Sequence, residues 1–176
     1  MIIVIITPVF VGTSHAKMPG TIPFGQEVNA MFRIYGAIGS GENGYAGTTD
    51  DLYRGGGGQF FLVEGYTLFY AAFGLDLGYT SFGKSNPPTG PVVSGYFNTL
   101  LVLELHLLLV NFQFGFGPAF GVGSGTSSGS AIMIGTGFNL MLLSNTGLSL
   151  MYRSDWVFDR KTATSDAFLL GVNFYI

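Results

Sequence analysis

At 176 residues the chain has room for one domain. It is 48% hydrophobic and only 10% charged, far below the roughly 25% charge of soluble domains, which argues against an ordinary water-facing surface. The net charge is −3 and the seven basic residues are scattered, so nucleic acid is excluded as a partner; with no cysteine there is no disulfide frame, thiolate chemistry or cysteine-ligated metal. Glycine stands at 28 residues and aromatics at 15%, a pairing that suits closely packed strands with aromatic belts.

Residues 1–16 read as a secretory signal peptide. Ile2 to Val11 form its apolar core, and Ser14-His15-Ala16 put small residues where a signal peptidase inspects them. The expected cut falls between Ala16 and Lys17. The departure is that no Lys or Arg precedes the apolar core. A buried strand over Ile2–Ile6 is the alternative, and the run is too short for a spanning helix of about 20 residues. Residues 17–29, with Pro19, Gly20 and Pro23, form an irregular periplasmic lead-in.

Eight alternating segments follow, over 30–40, 57–67, 71–82, 95–107, 110–122, 130–142, 147–158 and 166–176. Each is near the roughly 9–11 residues that a tilted strand needs to cross a bilayer. Connections alternate in length. Those at 41–56, 83–94, 123–129 and 159–165 are longer and rich in Gly, Ser, Thr, Asn, Asp and Pro, whereas those near 68–70, 108–109 and 143–146 are short. Long loops on one side of a membrane and tight turns on the other are the outer-membrane pattern.

Side chains alternate across a strand, so each segment has two faces. One face carries Phe32, Ile34, Gly36 and Ile38, then Phe61, Val63, Gly65 and Thr67, then Phe73, Leu75, Leu77 and Tyr79. It continues with Phe97, Thr99 and the leucines at 101, 103, 105 and 107, then with Phe112, Phe114, Phe116, Pro118 and Phe120. The last segments add Ile132, Ile134, Thr136, Phe138, Leu140 and Leu142, then Leu148, Leu150, Tyr152, Ser154, Trp156 and Phe158, and finally Phe168 to Ile176 in steps of two. None of these residues is charged. A cation facing lipid at mid-depth costs about 2–4 kcal/mol, which accounts for the pattern.

The opposite faces hold Arg33, Glu64, Asp76, Glu104, His106, Arg153 and Asp155, along with Gly, Asn and Gln. An eight-stranded barrel has an interior just wide enough for side chains to fill. Buried charges there must pair, so these seven residues are expected to form an ionic network that plugs the lumen. Arg33 and Glu64, on adjacent strands, are the first expected pair. Phe60, Leu62, Leu100 and Val102 fall on the inner side in this register, so part of the lumen is apolar. Pro118 cannot donate to a ladder, and a bulge or strand end is expected there. Tyr79, Phe97, Phe120, Trp156, Phe158, Phe168 and Phe174 are expected to form a lipid-facing aromatic belt.

The closing stretch, Asp166 to Ile176, has one wholly apolar face from Phe168 to Ile176, with Phe174 and Tyr175 just before the end. It resembles the closing strand and C-terminal targeting signal of bacterial outer-membrane barrels, with Ile176 in place of the usual terminal aromatic. The division of residues over 30–176 resembles the OmpA/OmpX-type small barrels in pattern rather than in any residue-specific motif. The expected fold is all-β, an eight-stranded antiparallel up-and-down transmembrane β-barrel. The resemblance implies a bacterial outer membrane, both termini periplasmic, contact with outer-membrane lipid, and recognition of the C-terminal strand by barrel-insertion machinery.

Residues that could carry chemistry have plainer readings. A Ser-His-acid triad would have to use His106, which lies at the periplasmic end, away from the outer-leaflet sites of lipid-A acylases and deacylases of similar architecture. Glu64, Asp76, Glu104 and Asp155 come from four strands at no ligand-like spacing. The glycines at 55–58 and 121–125 lack the Lys-Ser/Thr ending of a phosphate loop. Asp50, Asp51 and Glu42 in the first long loop could bind Ca²⁺ or a basic partner, against the simpler reading of solvated loop charge. No enzyme activity, cofactor or metal is expected. The expected role is structural or interactive, stabilising the membrane or binding through loops. The alternatives are a subunit of a larger outer-membrane assembly, docked through the Phe112–Phe120 face or the loop 41–56, and a narrow pore for small solutes. A soluble lipocalin-like barrel would need polar outward residues that the segments lack.

Overall fold

A computed structural model describes residues 27–43, 48–66, 68–82, 93–123, 128–143, 145–159 and 162–176. The eight strands are β1 (Ala30–Asn43), β2 (Thr48–Tyr66), β3 (Phe69–Phe82), β4 (Val93–Leu107), β5 (Val110–Gly123), β6 (Ser128–Leu143), β7 (Thr146–Phe158) and β8 (Thr162–Tyr175). Each pairs antiparallel with the next, and β8 returns to pair with β1, so the sheet closes on itself in sequence order. Closure leaves no open edge. The seam runs the full length of the wall, from Met31↔Tyr175 to Asn43↔Ala163. At its lower end the Asn29 and Ala30 amides donate to the Ile176 carbonyl at 2.9 and 3.0 Å, so residues just before β1 join the barrel. The signal and the lead-in up to residue 26 lie outside the described residues.

Connections at 67–68, 108–109 and 144–145 lie at one end, called here the short-turn end; those at 44–47, 83–92, 124–127 and 159–161 lie at the other. The tight turn after β4 has Leu108 at φ 61°, a left-handed backbone that a leucine rarely adopts. A positive φ at the first of two central residues is the geometry of a type II′ hairpin, whose twist matches the flanking strands.

Three expectations about the strands are corrected. The loop over 41–56 is mostly strand: β1 runs to Asn43 and β2 begins at Thr48, with Ser40↔Leu52 and Gly41↔Asp51 paired. Gly55 and Gly56 fall in the expected loop, but closely spaced strands accept residues without side chains. The candidate ligands Glu42, Asp50 and Asp51 have side chains outside the described ones. At Pro118 there is no bulge. The ladder to β4 keeps one register on either side, Asn98↔Ala119 and Leu101↔Phe116, and Pro118 still faces Ser130 of β6. The missing N–H is absorbed as a gap in one ladder rather than a shift of register.

The third correction concerns β2. Its inward set is Gln59, Phe61 and Val63, and its outward set includes Phe60, Leu62 and Glu64. Both sets of alternating residues are apolar here, so alternation alone does not choose between them. Glu64 therefore faces outward, exposed, beside the short-turn end of the strand, and takes no part in the lumen. A carboxylate at that depth costs little compared with one at the bilayer centre. In the other seven strands the faces run as the sequence indicates, with Ile34, Phe73, Leu103, Phe114, Ile134, Leu150 and Leu170 all exposed.

Candidate functional site

The lumen is where the chain collects its buried polar groups, and they form two clusters stacked along the barrel axis. The one nearer the short turns is built on Arg33 of β1, which is 1% exposed. Its guanidinium grips Glu104 of β4 with both ends, Nη1 to Oε2 at 2.8 Å and Nη2 to Oε1 at 3.1 Å. Nη1 also donates to Gln59 Oε1 at 2.8 Å, and Nε to Asn173 Oδ1 at 2.6 Å. Gln59 is the direct register partner of Arg33, which is why β2 turns this face inward. The Phe61 ring lies 5.8 Å from the guanidinium carbon and covers it. Glu104 further accepts the Tyr70 hydroxyl at 2.6 Å and the Gln113 amide. The expected partner of Arg33 is Glu64; its actual partner is Glu104, which reaches across the lumen from β4, three strands along the wall.

Below this pair sits His106, 2% exposed, with its ring stacked on Tyr70 at 4.6 Å between centroids and 16° between planes. Asn139 bridges the neighbourhood, donating to Tyr70 Oη at 3.2 Å and accepting from Asn111 at 3.2 Å. His106 is thus part of the packed floor of the lumen.

The second cluster, towards the longer connections, is built on Arg153 of β7. Its Nη1 donates to Asp76 Oδ2 at 2.6 Å, and its Nη2 lies 2.8 Å from Asp155 Oδ1. Nε donates to both oxygens of Asp155 at 2.9 Å. Tyr35 closes the ring: its hydroxyl donates to Asp76 Oδ1 at 2.7 Å and accepts from Arg153 at 3.0 Å. Gly57 and Gly78 leave the space this phenol occupies, since a Cβ at either would stand 2.6 or 2.8 Å from the hydroxyl oxygen. The sequence pattern names the five ions and puts the amides Gln113 and Asn173 on the same inner faces, but not Tyr35, Tyr70 and Gln59, which complete the hydrogen bonding. Their signal was available, as polar residues at inward positions on the same strands.

The rest of the lumen is filled by Met31, beside Arg33 and Tyr70 towards the short turns, and by Met133, Met151, Leu100, Val102 and Tyr96, all fully buried. Gly115 and Gly137 make room for methionine side chains, with Cβ positions 2.9 Å from Met133 Cε and 2.7 Å from Met151 Cγ. Three described strand residues carry charge outward, namely Arg54, Glu64 and Asp166, and Asp166 accepts a hydrogen bond from Ser154. Tyr79, Phe97 and Phe120 are direct neighbours across β3, β4 and β5 and form a continuous arc of exposed rings. Phe158 and Phe168 are exposed in the same half of the wall, Trp156 is half-buried there, and Phe174 lies apart at the short-turn end.

No protein-family model matches the chain, and no curated protein matches it significantly. Solved structures do. Neisserial surface protein A superposes with a TM-score of 0.55 at 11% identity, over 86% of this chain and 99% of that one. Ail, the attachment invasion locus protein of Yersinia pestis, gives 0.48 at 11% identity, over 86% and 100%. A de novo designed transmembrane β-barrel gives 0.42 at 12% identity, over 86% and 99%. The likeness is one of fold, a small closed eight-stranded antiparallel barrel of the OmpA/OmpX type.

Proposed function

We propose that this chain is an integral barrel of a bacterial outer membrane whose filled lumen passes no solute, and whose role is to stabilise the membrane or present its longer connections to partners. The observation that carries the reading is the inversion of a soluble protein: five ions buried in the lumen, and a wall of exposed Leu, Ile and Phe around the circumference. The two outward charges of β2 fit that picture. Arg54 and Glu64 lie on the same face of β2, separated by about 33 Å of strand. At the usual tilt this is about 25 Å along the axis, the height of the apolar band of such barrels. One charge therefore sits at each edge of the hydrocarbon. The short turns and both termini belong on the periplasmic side in this reading, as tight turns do in outer-membrane barrels.

The test is conductance of the purified barrel in planar bilayers, with insertion verified by heat-dependent migration on gels. Two arginine-centred plugs predict no stable conductance steps. Sustained steps from inserted protein would overturn the closed lumen, and migration unaffected by heating would overturn the barrel in membranes.

A further inference from the structure

The outer wall over β8, β1 and β2 is not uniformly convex. A groove of about 520 Å³ crosses it, floored by Gly36 and Gly55 and flanked by Ile38, Phe168 and Leu170, with Arg54 at its edge. A Cβ built at Gly36 would meet no atom within 4 Å, so the hollow is open space on the lipid side. Arg54 is exposed and forms no ion pair among the described residues. It stands one outward step beyond Gly56, the register partner of Tyr79, and so at the level of the aromatic arc, where headgroups begin. We propose that this groove seats one acyl chain of an anionic phospholipid, whose phosphate is held by Arg54.

A guanidinium matches phosphate in charge and in its paired donors. An apolar groove ending in such a cation has the shape and polarity of a lipid, tail along the wall and head at the interface. A second copy of the chain is the poorer occupant. Two barrels inserted the same way round and related by a two-fold axis would set Arg54 against Arg54 and Glu64 against Glu64. The inference rests on the membrane reading above but is independent of which leaflet holds Arg54.

The experiment folds the chain into phosphatidylcholine vesicles doped with phosphatidic acid carrying a diazirine on its acyl chain. A parallel set carries the same chain on phosphatidylcholine. After photolysis, labelled residues are mapped by mass spectrometry. Labelling by phosphatidic acid should concentrate on Ile38, Phe168 and Leu170 and exceed that by phosphatidylcholine there about fivefold, the value of one cation at a lipid surface. Arg54→Gln should bring the ratio to about one, and Gly36→Leu, which fills open space, should lower labelling by both probes. Heat-dependent migration checks that both variants remain folded. Labelling spread evenly round the wall, or a ratio unchanged in Arg54→Gln, would overturn the seat while leaving the barrel intact. So would a disulfide-linked dimer formed by Gly36→Cys in vesicles, which would give the groove to a second copy. A wild-type chain that never inserts overturns the membrane reading itself, and the seat with it.

Discussion

The two lumen clusters solve one problem with different stoichiometry. Arg33 meets a single carboxylate, Glu104, and fills its remaining donors with the neutral oxygens of Gln59 and Asn173. Arg153 meets two carboxylates, Asp76 and Asp155, with only Tyr35 between them and a surplus of negative charge. The first cluster is balanced in charge and built on amides. The second is held together by one cation serving two anions. Removing an arginine should therefore be worse where two carboxylates are left facing each other.

The largest expected effect is that of Arg153→Met, which strands Asp76 and Asp155 in the buried lumen. Breaking a buried pair from one side costs about 3–5 kcal/mol, and this variant belongs at the top of that range. Urea unfolding in vesicles, followed by tryptophan fluorescence, reads the loss. Arg33→Met should fall at the lower end, because Glu104 keeps the hydrogen bonds of Tyr70 and Gln113. Equal losses in the two variants would show that stoichiometry is irrelevant.

The comparison sharpens with a double replacement. Arg33→Met combined with Glu104→Leu removes both charges, and the barrel should recover at least about 2 kcal/mol relative to Arg33→Met alone, since apolar replacement of a whole buried pair is often neutral. If the double variant is as unstable as the single one, the pair is needed for more than its own neutralisation. Asp76→Asn comes next, with a loss of about 1–2 kcal/mol, because it removes the surplus charge but disturbs the bonds to Tyr35 and Arg153. Smallest of all should be Glu64→Gln, within about 0.5 kcal/mol in the same unfolding assay, as for an exposed position. A loss as large as that of Arg33→Met would mean that Glu64 has a partner at the outer wall.

Most of the wall was legible in the sequence. In seven strands a charge, an amide or a run of small residues on one face stood against Leu, Ile and Phe on the other, and that contrast fixed the inward side. β2 is the exception, for a definable reason. Phe60 and Leu62 on one side and Phe61 and Val63 on the other are equally apolar, so Glu64 was left to decide alone, and it lies close enough to the strand end to reach water. Gln59 is the better guide, being a polar residue well inside the strand, where only an inward partner such as Arg33 can satisfy it. The length of the β1–β2 hairpin is hidden by the Gly-, Asn-, Thr- and Asp-rich run over 41–56, which has the composition of a loop.

What the sequence determined by itself was the period and the segregation: eight runs of alternating residues, apolar to one side, because a lipid-facing strand tolerates no mid-depth charge. Which acid meets which arginine was decided only in three dimensions. Strand tilt and closure set the depth at which β1, β4 and β7 face one another across the lumen, and no spacing along the chain encodes that distance. The same closure brought Phe168 and Leu170 of β8 beside Gly36 and Ile38 of β1, and made a groove of residues from opposite ends of the chain.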